Sequence, residues 1–208
     1  MELPAPDSAR PPTGRGGHPA LEESHLACIK KKARQQGRTL VFLDESGLSL
    51  KPHRVRTWAP KGQTPILEFD FNWKSLSVIA GLTLWRFYFQ LHPGSIKSAQ
   101  VITFLQHLQR HVRRPLLVIW DGAAIHRSRL VRDYLDSLHG RIIAASLPAY
   151  APELNPAEYI WGHFKQHELP NLCAKDLADL GWHGRRALRR MRRRPKLITA
   201  FWKQAELF

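Results

Sequence analysis

The sequence predicts an α/β domain, a mixed sheet with helical crossovers, on three observations. Leu40–Asp44 and Pro115–Asp121 are continuous apolar runs, each closed by an aspartate and then by turn residues, the pattern of central strands buried on both faces. Between them, Leu76, Val78, Ala80, Leu82 and Leu84 alternate with Ser75, Ser77, Ile79, Gly81 and Thr83. After Trp85-Arg86, Phe87, Phe89 and Leu91 alternate against Tyr88 and Gln90, so the two segments form an antiparallel hairpin. Beyond the second aspartate run, helical spacing at Leu130, Val131, Tyr134, Leu135 and Leu138 leads through a Gly140 cap to the strand Arg141–Leu147. Hairpin first, then strand–helix–strand: that order makes the sheet mixed.

The remaining elements follow in chain order. Met1–Ala20, with five prolines and three glycines and no period, is expected to be disordered. Leu21–Arg38 reads as a short helix ending at Gly37; its Lys30-Lys31-Lys32-Ala33-Arg34 run is either a solvated face or a phosphate contact. Lys51–Pro65 is basic and turn-rich and is expected to form short paired strands. Val101, Phe104, Leu105, Leu108 and Val112 form one stripe of a helix opening at Ser98, which Pro115 ends. A proline-punctuated loop after Leu147 leads to a helix marked by an Asn155 N-cap and by Pro156 at its first position. Arg185–Lys196 holds seven Arg, one Lys and no acid, and an apolar stripe at Leu197, Ile198, Phe201, Trp202 and Ala205 follows it. The expected organisation is a non-homologous or disordered segment 1–28, one domain over 29–170, and a basic helical tail over 171–208.

Composition narrows the partners. The 208 residues suffice for one domain with a sizeable core. A net charge of +15, from 32 Lys and Arg against 17 Asp and Glu, points to a polyanion. Cys28 and Cys173 form neither a metal-binding pair nor a disulfide framework, so reduced thiols of a cytoplasmic protein are expected. No apolar run reaches the length of a membrane span, and the first residues lack the apolar region of a secretion signal.

Within this basic chain, three carboxylates stand out. Asp44 and Asp121 close the two apolar strands, and Glu158 falls in the first turn of the helix capped by Asn155. Taken singly, each has a structural reading: turn chemistry for the aspartates, a capping box bonding back to the Asn155 N–H for Glu158. Together they are the parts of a cluster that repels itself unless cations neutralise it, and hard carboxylate oxygens suit Mg²⁺ or Mn²⁺. Trp161 and Lys165 share the helix face of Glu158; Trp161 reads as core and Lys165 as a phosphate contact or a solvated lysine. Strand alternation turns Glu45 to the face opposite Asp44. His126, five residues past Asp121, is a candidate contact to a polyanion or a surface or capping residue, and Arg189, Arg190, Arg192 and Arg193 are candidate contacts to a phosphate backbone.

Four ordered blocks carry a family resemblance: Leu43-Asp44-Glu45-Ser46-Gly47, Trp58-Ala59-Pro60-Lys61-Gly62-Gln63-Thr64-Pro65, Trp120-Asp121-Gly122-Ala123-Ala124-Ile125-His126 and Leu154-Asn155-Pro156-Ala157-Glu158-Tyr159-Ile160-Trp161-Gly162. Over roughly Ile29–Leu169 the chain resembles the catalytic domain of DDE transposases of the mariner superfamily, on its insertion sequence 630 branch. Asp121 and Glu158 have 36 residues between them, similar to that superfamily's spacing. Gly122 departs from the pattern, standing where many members carry Asn.

The resemblance implies a ribonuclease H-like mixed sheet flanked by helices, with Asp44 and Asp121 ending side by side and Glu158 brought across to them. It implies a catalytic triad Asp44, Asp121 and Glu158 holding two Mg²⁺ or Mn²⁺ ions, with Asp44 bridging both, for metal-dependent cleavage at transposon ends and strand transfer. The implied partner is double-stranded DNA, with a homodimer assembled on it, in the bacterial cytoplasm at the nucleoid. Members carry a helix-turn-helix region before the catalytic domain, and none is visible ahead of Asp44. A truncated copy, the second of two overlapping reading frames, or an inactive remnant that binds DNA without specificity are the alternatives this leaves.

Overall fold

β4 (Leu116–Trp120) is apolar at all five positions and buried throughout, so it can only lie inside a sheet covered on both faces. The computed structural model, which describes residues 19–69, 74–147 and 154–205, places it there. The chain runs α1 (Pro19–Gln35), β1 (Thr39–Ser49), β2 (Ser75–Leu82), β3 (Phe87–Pro93), α2 (Ser98–His111), β4, α3 (Arg129–Ser137), β5 (Ile142–Ser146), α4 (Pro156–His163), a π-helical turn (Phe164–Glu168), α5 (Leu177–Arg192) and α6 (Pro195–Gln204). The five strands are ordered β3-β2-β1-β4-β5. β3, β2 and β1 are antiparallel, whereas β4 and β5 run parallel to β1, so the sheet is mixed as the sequence predicts.

Strand period sorts the side chains onto two cores. Val41, Leu43, Ile79, Val118 and Trp120 meet α2 and α3 through Val101, Phe104, Leu105, Leu108 and Val131. Phe42, Val78, Ala80, Leu82, Leu117 and Ile119 face the other way, onto α1, α4, α5 and α6. Gly81 lets α2 approach β2, since a Cβ there would stand 3.2 Å from Phe104 and 3.1 Å from Val41. Gly140, at φ +80°, makes the turn from α3 to β5, and its carbonyl accepts from Arg38 at 2.8 Å.

Two expectations are corrected. β1 does not end at Asp44 but continues to Ser49. Its parallel pairing with β4 stops at Phe42↔Ile119, while antiparallel pairing with β2 carries on to Ser49↔Ser75. Asp44 therefore lies mid-strand, just past the point where β1 loses its second partner. Lys51–Pro65 does not form paired strands; among the described residues it makes one bridge, His53↔Pro170. Asn171 replaces a partner strand, its side chain accepting from the Val55 N–H at 2.8 Å and donating to the Val55 carbonyl at 2.9 Å.

The C-terminal helices complete the second core. α5 buries Leu180, Gly181, Gly184, Ala187, Leu188 and Met191, and α6 buries Ile198, Phe201 and Trp202. Trp202 packs edge-on to Phe42, centroids 5.3 Å apart, and donates to the Thr83 carbonyl at 3.0 Å. Removing such a ring costs about 3–5 kcal/mol. The expected disorder of Met1–Ala20 falls mostly outside the described residues, as does the proline-punctuated part of the loop before Asn155; Pro19 and Ala20 open α1. No helix among the described residues is long and apolar enough to cross a membrane.

Candidate active site

Asp44 is 7% exposed, a carboxylate at a position the strand pattern reserves for the core beneath α4. A buried acid without partners would protonate or unfold its surroundings. Here Nε1 of Trp161 donates to Oδ2 of Asp44 at 2.7 Å, a charge-assisted bond made inside the protein. Trp161 reaches it because Asn155 caps α4, its side chain accepting from the Ala157 N–H at 3.1 Å, and Pro156 opens the helix. That start fixes which residues of α4 meet β1.

Glu158 lies one turn before Trp161 on the same side of α4, and its carboxylate is exposed. Asn155 is the cap as the sequence predicts, but Glu158 is bonded to it only through the backbone, its N–H donating to the Asn155 carbonyl at 3.0 Å. The Glu158 charge is felt at Asp44 instead. Burial, then Glu158, then Glu45 push the Asp44 carboxyl up to about 7 against the Trp161 bond. Near neutrality, Asp44 and Glu158 form an acidic pair that calls for a cation.

Asp121 follows directly on β4, at the level of Asp44 if the β1–β4 register is continued by two residues. Its carboxylate is half exposed and accepts from the Ala123 N–H at 3.0 Å. It also takes a contact of 2.9 Å from Nδ1 of His126. As the side chains stand, no three His, Cys, Asp or Glu residues among those described are clustered to hold a metal. Asp44 and Glu158 are brought together, and Asp121 is turned toward His126.

His126 is 3% exposed, its ring turned into the protein. Nε2 meets Oε1 of Glu45 at 3.1 Å, and the ring stacks on Trp120, centroids 4.5 Å apart and planes within 5°. Burial lowers its pKa, but Glu45 and Asp121 outweigh burial and the net shift is upward, toward an imidazolium donating from both nitrogens. Glu45 does lie on the face opposite Asp44, as alternation requires. Its partnership with His126 joins positions 81 residues apart, which no local spacing signals.

Of the basic candidates, Lys165 lines a cleft of about 420 Å³ with Lys51, His53 and Arg54, beside the end of β1. Arg190 and Arg194 are committed inward to Glu168 of the π turn, whose side chain is 3% exposed. Arg190 donates from Nε at 2.6 Å and Arg194 from Nη1 at 3.0 Å. Arg192 sits over the Phe89 ring, 5.6 Å from its centroid. Arg189 and Arg193 line an open groove of about 770 Å³.

A mixed five-stranded sheet in this order, flanked by helices and carrying one acid on β1, one directly after β4 and one in the first turn of α4, defines a ribonuclease H-like domain with an acidic site. The chain belongs to the DDE superfamily endonucleases, whose family model matches residues 39–181. Among solved structures, the Mos1 transposase paired-end complex with left transposon end is similar, with a TM-score of 0.64 and 19% identity over 98% of this chain and 64% of that one. The Mos1 mariner paired end complex with Mn gives 0.62 at 20% identity, over 97% and 64%. The catalytic domain of Mos1 mariner transposase gives 0.51 at 18% identity, over 89% and 91%. The chain thus spans less than two thirds of the length of the full Mos1 chains it matches first, and at these identities the likeness is one of fold. A comparison with curated protein sequences returns no match.

Proposed function

We infer that this chain is the catalytic part of a transposase, cutting phosphodiester bonds of duplex DNA at transposon ends and joining the freed 3′ ends to target DNA. The observation that carries the reading is Asp44, a buried carboxyl pushed up to about 7 by burial and by the Glu158 charge, with Asp121 directly after the adjoining strand. Such a donor set fits a hard divalent cation, and structures of Mos1 complexes with Mn and with Mg accord with that choice.

Asp44, Asp121 and Glu158 would hold Mg²⁺ or Mn²⁺, two ions in all, with Asp44 as the shared ligand. When bound, the cations lower the pKa of the attacking water or 3′-hydroxyl and stabilise the leaving oxygen. The chain's own residues do the positioning. Trp161 fixes one oxygen of Asp44, and His126, tied to Glu45, controls where the Asp121 carboxylate points. Lys165, Lys51 and Arg54 offer positive charge beside the site for the phosphate backbone. Work on paired transposon ends calls for two copies of the chain assembled on DNA, in the cytoplasm at the nucleoid.

The test is cleavage of a terminal-repeat duplex with Mg²⁺, Mn²⁺ or EDTA. Nicking that needs the cation and disappears in Asp44→Asn is expected. Equal activity in EDTA, or in Asp44→Asn, would sink the reading.

A further inference from the structure

The family match ends at residue 181, one residue before an arginine stripe that the cleavage site does not use. At about 100° per residue, Trp182, Arg185, Arg186, Arg189 and Arg193 fall within an arc of about 100° on α5 and its C-cap, opposite the buried Gly184, Leu188 and Met191. Arg190 and Arg192 lie on the flanks of the stripe, and these are the two that reach inward to Glu168 and Phe89. Among the described residues, Arg185, Arg186, Arg189 and Arg193 have no carboxylate partner, and no Asp or Glu stands between Asp179 and Glu206.

Like charges four apart on a helix oppose one another, by tenths of a kcal/mol per pair. The helix dipole rewards cations in the last turn, which covers Arg193 but not Arg185 or Arg186, two turns earlier. The stripe is also shaped. The Arg186 guanidinium lies 5.1 Å over the half-exposed Trp182 ring, which holds it in place and occupies that ring face. Nη1 of Arg185 lies back over Gly181, where a Cβ would stand 3.2 Å away. The result is a groove of about 770 Å³ rimmed by donors with no acceptor among the guanidiniums.

We propose that this face of α5 is a second DNA-binding surface, which grips the phosphates of duplex DNA away from the cleavage site and without regard to sequence. The choice of duplex DNA among polyanions rests on the transposase reading; the anion-binding character of the face does not. Steps of four residues place Arg185, Arg189 and Arg193 about 6 Å apart along the helix, a row suited to successive phosphates of one strand.

The experiment is a salt titration of full-chain binding to a labelled, scrambled-sequence duplex in EDTA, followed by anisotropy. R185Q/R189Q/R193Q spares the three arginines that hold the fold. It is expected to melt like the wild type, to lose about 2–3 units of slope in log K against log salt, at about 0.9 per phosphate, and to bind at least about tenfold more weakly at 0.1 M salt. R185K/R189K/R193K should regain most of that slope. A Gln variant with unchanged slope, a Lys variant no better than the Gln one, or a Gln variant that binds DNA normally but loses self-association each overturns the proposal. Glu158→Gln should keep the full salt slope, and a wild-type chain that binds but never cuts would sink the endonuclease reading alone.

Discussion

The indole N–H of Trp161 points at the carboxylate of Asp44, 2.7 Å away across 117 residues of sequence. Among the described residues it is the one side-chain bond that opposes burial and the charges of Glu158 and Glu45 at that acid. Trp161→Phe keeps most of the ring and removes the donor. The expected loss is about 1.5–3 kcal/mol at pH 7.5, the range for hydrogen bonds to charged groups. Mg²⁺ affinity should fall about 10–100-fold, as when the group orienting a metal ligand is removed. Calorimetric Mg²⁺ titration and thermal melts check both; unchanged Mg²⁺ affinity would make Trp161 merely core.

A second prediction follows from the direction of the Asp44 shift. Its folded pKa, about 7, lies above the ordinary carboxylate value of 3.8, so the folded chain holds a proton that the unfolded chain has released between those values. Stability without metal should therefore fall as pH rises from about 4 to 7 and level off above, by up to about 4 kcal/mol at 1.36 kcal/mol per unit. Asp44→Asn should flatten this dependence, melt above the wild type at pH 8 in EDTA, and fail to cut. Mg²⁺ should raise the wild-type melting temperature more at pH 8 than at pH 5. Melts across pH with and without Mg²⁺ decide it.

Glu158→Gln separates the site from the cap. Asn155 caps α4 through its own side chain, so the variant should fold normally, and removing the facing charge should bring the Asp44 pKa down. Metal-dependent cleavage should vanish. A large fall in melting temperature with cleavage intact would return Glu158 to a capping role.

His126 is wedged between Glu45 and Asp121, so His126→Ala leaves Glu45, itself largely buried, without its cation. Breaking one side of a buried pair costs about 3–5 kcal/mol. His126→Gln, which can still donate to one carboxylate, should lose less. Denaturant unfolding of the two variants measures the difference.

Glu168 makes the complementary case among the arginines. Arg190→Gln should lower the melting temperature, since it leaves the buried Glu168 carboxylate with Arg194 as its remaining arginine, and Glu168→Ala should lower it less, since the arginines it frees are about half exposed. Arg189→Gln should leave the melt unchanged. Equal melts for Arg189→Gln and Arg190→Gln would remove the distinction between inward and outward arginines.

The sheet was largely legible because its information is local. Apolar runs, the alternation from Ser75 to Leu91 and the Asn155-Pro156 start all concern neighbours in sequence, and each marks an element that is present. Asp44 and Asp121 stand out in the sequence too, as charges closing apolar runs. What spacing could not show is who meets them. Trp161 shares a helix face with Glu158, which periodicity reveals, but its bond to Asp44 depends on how α4 lies on β1. Glu45 and His126 meet because the loop after β4 folds back over the far face of the sheet. The end of β1 was misread for a related reason: residues 45–49 keep β2 as a partner after β4 has gone, and hydropathy does not count partners. Arg190 and Arg192 look like Arg189 and Arg193 in sequence, and only the packing of α5 against the π turn and β3 separates them.

The partner change of β1 near Asp44 also sets a timetable. β2 and β3 can pair as soon as they are made, and β1 can add to them at once. The acidic site needs more: β4 beside β1 and then α4 across it, among the longest-range contacts in the chain, and such contacts form late. A nascent chain that has emerged only as far as β5 already holds Asp44 and Asp121 but has neither Glu158 nor the indole of Trp161. The Asp44–Trp161 bond, and with it the acidic pair, thus cannot form before α4 has been made.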